Sequence, residues 1–225
     1  ALAKALLPQK LNVARENLRV ISVMPCTAKK GEAMRPTLAR EEGPDVDAVL
    51  TVRELSKLLR RCGMHLKNCK PMAQDQHLFT DYSGAGAIFG TTGGVMEAAV
   101  RTVYALTHNG KSMAPIIFEA ARGLEGVKEA SVDLGDLGEI RIAVVHGLAR
   151  TQALLDKMSR GDVVYDFVEV MACPGGCIAG GGTPRKKNNY QLYTDVRQKA
   201  LYAIDEKAPV RESHNNPEII ELYSK

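Results

Sequence analysis

A chain of 225 residues that is 45% hydrophobic and 25% charged is ordinary for a globular protein and long enough for one large α/β domain or two small lobes with a real core. Its formal net charge of +4 is mild and dispersed, and with four Phe and no Trp it argues against nucleic acid as a partner. No stretch of about 18 apolar residues is present, so no membrane span is expected.

The opening segment, ALAKALLPQKLNVARENL, predicts a short helix with charges at helical spacing. It starts on Ala1 and lacks a cleavage-like site, which sets the expectation of a chain that begins inside a domain. LRVISVMPC (Leu18–Cys26) reads as a buried strand stopped by Pro25. DAVLTVRELSKLLRRCG gives another short apolar run and then a helix. Thr51 and Glu54 form a capping box, Leu55, Leu58 and Leu59 an apolar stripe, and Gly63 the stop. The glycine-rich passage SGAGAIFGTTGG (Ser83–Gly94) leads into the helix VMEAAVRTVYAL.

SVDLGDLGEIRIAVVHGLA predicts two strands about a GDLG turn, the second running out at His146. The helix RTQALLDKM follows, then the strand VVYDFVEVM ending at Met171. Two more helices are expected, one centred on TDVRQKALYAID and one capped by Asn216 with Pro217 in its first turn. Strands alternating with helices imply α/β architecture with a mostly parallel, doubly wound sheet flanked by helices. The short basic run Arg185–Lys187 reads as a solvated loop.

Five cysteines (Cys26, Cys62, Cys69, Cys173, Cys177) are an odd number, which favours reduced thiols or metal ligands over a disulfide framework. Cys26 and Cys173 each stand just past a predicted strand, and ligands in open α/β sheets bind outside the carboxyl ends of strands. In MACPGGCIAGGGTP two cysteines four apart are surrounded by five glycines, a composition that builds no core and leaves room for something other than a side chain. Zinc would want a second close pair or a histidine cluster, which is missing. A radical-enzyme pattern would want a third cysteine where Gly180 stands, and GAGAIFG misspaces the dinucleotide fingerprint. An iron–sulfur group accounts for more: turns in small residues aim N–H groups at sulfur, and Lys29, three residues after Cys26, is a charge partner for an anionic cofactor.

Three segments, VMPCTAKKGE, GAIFGTTGGVMEAAVRT and EVMACPGGCIAGGG, resemble the signatures of the [FeFe]-hydrogenase catalytic domain. DVDAVLTVREL, ARGLEGVKEA and VVHGLA are similar to its connecting stretches. The resemblance implies the second lobe of the two-lobed hydrogenase domain, with residues 1–225 as its C-terminal portion. It implies interconversion of H2 with protons and electrons at an H-cluster, a [4Fe–4S] cubane joined through a cysteine to a two-iron unit carrying CO, cyanide and an azadithiolate bridge. By the same resemblance Cys26, Cys173 and Cys177 are cubane ligands, and Cys177 bridges to the two-iron unit. Lys29 hydrogen-bonds cyanide, Pro25, Phe89 and Gly90 line the two-iron site, and Met24 and Met171 pack around the cluster.

The segment carrying the family's fourth cubane cysteine and its proton-relay cysteine has no match here, and neither do the accessory ferredoxin-like domains. The upstream lobe and ferredoxin or other electron-transfer subunits, ferredoxin- or NAD(P)-linked, are therefore the expected partners, in a cytoplasmic or periplasmic setting. Cys62 and Cys69 read as structural. Thr183 and Ala179 stand where the family usually has Gln and Asn. The alternative readings are an iron–sulfur assembly or sensory relative without hydrogenase activity, and a thiol-bearing structural domain.

Overall fold

A computed structural model describes residues 1–40, 43–75, 80–113, 126–185 and 190–224. Lys186 and Lys187 of the basic run, and the first five residues of ARGLEGVKEA, lie outside them. The chain divides into two compact units, Ala1–Thr80 with Gly180–Lys186, and Asp81–Ala179 with Lys187–Lys225.

In the first unit, helix α1 (Leu2–Leu11) precedes strand β1 (Ile21–Met24), helix α2 (Ala28–Ala33), the short antiparallel pair β2 (Ala39–Arg40) and β3 (Gly43–Pro44), strand β4 (Ala48–Thr51) and helix α3 (Val52–Arg61). β1 and β4 run parallel, with Ile21 opposite Ala48 and Met24 opposite Thr51. α1 is tied down by Lys4, whose buried ammonium meets Asp47 at 2.8 Å and the Pro44 carbonyl at 2.6 Å. α3 begins at the expected capping box: Glu54 N–H donates to Thr51 Oγ1 and Thr51 N–H to the Glu54 carboxylate. That backbone hydrogen bond, helped by Lys30, holds the Glu54 carboxyl down at about 2. Cys62 closes α3, and both Cys62 and Cys69 are exposed.

β1 differs from expectation. Ile21 is 60% and Val23 44% exposed, so the strand is covered on one face only. An apolar run states what a strand could bury, whereas burial needs a second layer, and no described element covers this face.

The second unit holds α4 (Gly84–Ile88), α5 (Gly94–Thr107), β5 (Val127–Asp133), β6 (Glu139–His146), α6 (Leu148–Ser159), β7 (Phe167–Met171), α7 (Tyr190–Lys207) and α8 (Pro217–Tyr223). β5 and β6 form the antiparallel hairpin about GDLG, and β6 pairs parallel with β7, placing His146 opposite Met171. Parallel pairing thus occurs in both units, with strands in separate sheets instead of one continuous sheet among the described residues. From Ile142 onward β6 is buried on both faces. Ile142 and Val144 pack with Met96 and Val100 of α5, whereas Ala143 and Val145 pack with Leu154 of α6 and with Tyr165. A strand segment between two helical layers has no solvent face, which is why Ile142–Val145 is a continuous apolar run.

α4 falls within the glycine-rich passage that leads into α5. Its start is capped by Ser83, and at Gly84 a Cβ would lie 2.2 Å from Asp205 Oδ1, so the glycine allows a buried carboxylate to approach. Asp205 is fully buried and receives two hydrogen bonds from Arg101, at 2.8 and 2.7 Å, and one from Arg211 at 2.8 Å; Arg101 also pairs with Glu97.

Candidate metal centre

In the second unit the site grows from the end of β7. The Met171 carbonyl accepts from Gly147 N–H at 2.8 Å, fixing the strand end beside the end of β6. The chain then turns: Gly176 N–H donates to the Cys173 carbonyl at 2.9 Å, with Gly175 and Gly176 at φ 86° and 93°, a region that favours glycine. Gly175 N–H donates to His146 Nδ1 at 3.2 Å, and the Gly175 carbonyl accepts from Thr92 N–H at 3.2 Å. Ile178 N–H reaches the Gly90 carbonyl at 2.8 Å. Met171, Cys173, Cys177, Gly90 and Phe89 are therefore drawn together, with Cys173 half-buried and Cys177 and Phe89 exposed.

Buried polar groups hold this turn. The Glu169 carboxylate, on β7, accepts from Gly93 N–H at 2.6 Å and Met96 N–H at 2.8 Å, joining the strand to the start of α5. Burial pushes its carboxyl up, against the pull of those N–H groups. α7 contributes Gln198, which donates to Thr91 Oγ1 at 2.9 Å, and Arg197, which donates to the Ile178 carbonyl at 2.8 Å. Sequence reasoning missed Glu169, His146, Gln198 and Arg197. Glu169, the second carboxylate in the otherwise apolar run VVYDFVEVM, was the available signal there; Arg197 and Gln198, in the middle of α7, carried none.

In the first unit Pro25 and Cys26 follow β1, Cys26 is half-buried, and Lys29 stands in the first turn of α2. Lys29 Nζ meets Glu32 Oε1 at 2.7 Å, a partner the sequence reading did not assign, and both line a cavity of about 250 Å³ with Met24. Gly182 N–H donates to the Pro25 carbonyl at 2.8 Å, and Arg53 donates to the Gly181 carbonyl at 3.0 Å. Thr183 Oγ1 is turned inward to the Gly180 carbonyl at 2.8 Å, and Ala179 is buried in the second unit.

Two of the glycines admit neighbouring backbone: a Cβ on Gly176 would lie 2.6 Å from Thr92 N, and one on Gly182 2.9 Å from the Pro25 carbonyl carbon. At these two positions the space is taken by neighbouring backbone. Among the described residues no three His, Cys, Asp or Glu side chains gather into a metal-binding cluster; Cys26 lies in the first unit and Cys173 and Cys177 in the second.

Residues 1–181 match the family described as iron only hydrogenase large subunit, C-terminal domain. The chain belongs to that family. Residues 191–225, which carry α7 and α8 from Gln191 onward, match the iron hydrogenase small subunit family. An NADP-reducing hydrogenase subunit of Solidesulfovibrio fructosivorans is 45% identical over all of this chain and 38% of its own length. The periplasmic [Fe] hydrogenase large subunit of Nitratidesulfovibrio vulgaris is 37% identical over 92% of this chain and 51% of its own length. Cytosolic iron-sulfur assembly component 3 of Rattus norvegicus is 32% identical over 81% of this chain and 39% of its own length. The apo [FeFe]-hydrogenase of Chlamydomonas reinhardtii superposes with a TM-score of 0.79 at 36% identity, covering 100% of this chain and 62% of that one. The fold is thus the α/β fold of the [FeFe]-hydrogenase domain, and the chain spans between 38% and 51% of the length of these curated relatives. No described helix is long and apolar enough to cross a membrane.

The family's iron–sulfur chemistry fits the residues present. Cys26, Cys173 and Cys177 are soft sulfur donors, none is in a disulfide, and Cys173 and Cys177 flank a turn held by buried hydrogen bonds. Beside that turn the fully buried Thr92 hydroxyl has no protein partner among the described residues.

Proposed function

We propose that the chain is the C-terminal part, residues 1–225, of an [FeFe]-hydrogenase catalytic domain that interconverts H2 with protons and electrons. The observation that carries this reading is positional: Cys26 and Cys173 each stand two residues beyond the end of a parallel strand, β1 and β7, and Cys177 closes the turn that Cys173 opens. Cys26, Cys173 and Cys177 would hold an H-cluster, with Cys177 linking its two parts and a fourth cysteine coming from an upstream lobe. When bound, that group supplies the redox and H2 chemistry. The protein holds it through thiolates, with Met24 and Met171 excluding water and Pro25, Phe89 and Gly90 shaping the wall. Lys29 Nζ offers three donors and spends one on Glu32, so two would serve cyanide. Electrons would arrive from a ferredoxin-like or NAD(P)-linked subunit in the cytoplasm or periplasm.

Infrared spectroscopy of the holoprotein with an H2 assay tests the reading. CO and cyanide bands with turnover are expected. A cubane without such bands would overturn it in favour of an assembly role, the reading supported by the iron-sulfur assembly relatives. Lys29→Asn removes a charge-assisted hydrogen bond, about 1.5–3 kcal/mol, so retention of the two-iron unit should fall roughly ten- to a hundredfold while the cubane remains. Unchanged infrared bands and activity would return Lys29 to an ordinary surface ion pair with Glu32.

A further inference from the structure

Two threonines stand side by side in the turn between α4 and α5, both fully buried. The Thr91 hydroxyl accepts a hydrogen bond from Gln198. The Thr92 hydroxyl has no hydrogen-bond partner among the described residues. Burying a hydroxyl unpaired is costly, and native interiors pair nearly all such groups. A residue whose only task is filling that space would be better as valine.

The surroundings of Thr92 narrow what its hydroxyl serves. Its own N–H donates to the Gly175 carbonyl, and its backbone lies so close to Gly176 that no side chain could stand there. Thr92 is therefore pressed against the turn that runs from Cys173 to Cys177. Three carbonyls of that turn are engaged: Gly175 by Thr92 N–H, Cys173 by Gly176 N–H and Gly176 by Ala179 N–H. The turn also presents the sulfur of Cys173 and Cys177.

We propose that Thr92 donates its hydroxyl proton to a sulfur atom, thiolate or sulfide, of the iron–sulfur group held at Cys173 and Cys177. The inference rests on the cluster reading above and adds a residue that sets the potential. A hydrogen bond to sulfur stabilises the more negatively charged, reduced cluster and raises its potential, so removing the donor lowers it.

The test is an EPR-monitored redox titration of the cubane in the holoprotein, run on the unsubstituted protein, Thr92→Val and Thr92→Ser, with urea unfolding alongside. Thr92→Val keeps the shape and removes the donor, so the midpoint potential should move negative. Thr92→Ser keeps the donor and should titrate with the unsubstituted protein. An unmoved midpoint in Thr92→Val, with stability equal or higher, would overturn the assignment and leave Thr92 as an unsatisfied hydroxyl. A serine variant shifted as far as valine would overturn it too, tracing the shift to lost packing. Absence of any cubane signal in the unsubstituted protein would instead overturn the cluster reading from which the inference starts.

Discussion

Cys177→Ser is expected to abolish H2 turnover in the holoprotein while leaving the fold in place. Cys177 is exposed, at the end of a turn whose shape is set by Gly175, Gly176, Thr92 and His146, so the substitution removes little packing. Urea unfolding should shift by less than about 0.5 kcal/mol, the usual range for surface changes. The functional loss follows from ligand chemistry. A serine hydroxyl is a harder and far more basic donor than a thiol, and it is not ionised near neutral pH. If Cys177 bridges the two parts of the H-cluster, the infrared bands of CO and cyanide should disappear with the activity. Wild-type H2 evolution from Cys177→Ser would sink the ligand assignment.

The sequence made the backbone legible wherever one local rule decided the outcome. The Thr51–Glu54 capping box, the GDLG hairpin and the Asn216 cap each depend on residues within a few positions of one another. β6 was legible for another reason: Ile142–Val145, sandwiched between α5 and α6, has no polar face to blur its pattern. The cysteines and glycines could be read as a site because thiols and glycines clustered without a core need an explanation.

What escaped was every choice made by a distant partner. α4 carries a glycine at position 84 because that position must admit Asp205, which lies about 120 positions later. Gly176 and Gly182 serve backbone approaches to Thr92 and Pro25, and those contacts do not exist until the chain is folded. The exposure of Ile21 and Val23 depends on which layers cover β1, a question its own composition cannot decide. The two family matches, to residues 1–181 and 191–225, fall either side of a stretch that local signals did not mark as a boundary. Among the bonds across that division is the buried pair Arg101–Asp205, which joins α5 to α7.

That pair carries the largest stability effect expected here. Asp205 is fully buried and Arg101 is 3% exposed, so each has given up its hydration for the other. Burial alone would push the Asp205 carboxyl up, yet the hydrogen bonds from Arg101 and Arg211 outweigh it and hold the carboxyl below its usual range. Asp205→Ala leaves the Arg101 guanidinium buried beside Glu97 without its Asp205 partner, and removing one member of a buried pair costs about 3–5 kcal/mol. A loss of that size is a large share of the usual stability of a domain. It should appear as a lower urea midpoint, and α7 should loosen with it, weakening the Gln198–Thr91 and Arg197–Ile178 contacts that brace the cysteine turn. The pH dependence gives an independent check. A carboxyl depressed in the folded state stabilises at pH values above its unfolded pKa, and that stability is lost as pH falls through the folded pKa. The gap between the wild type and Asp205→Asn should therefore be constant from neutral pH down to about 5 and shrink only below about 4. A gap that closes near neutral pH, or a loss under about 1 kcal/mol for Asp205→Ala, would show that Arg101 is satisfied without Asp205.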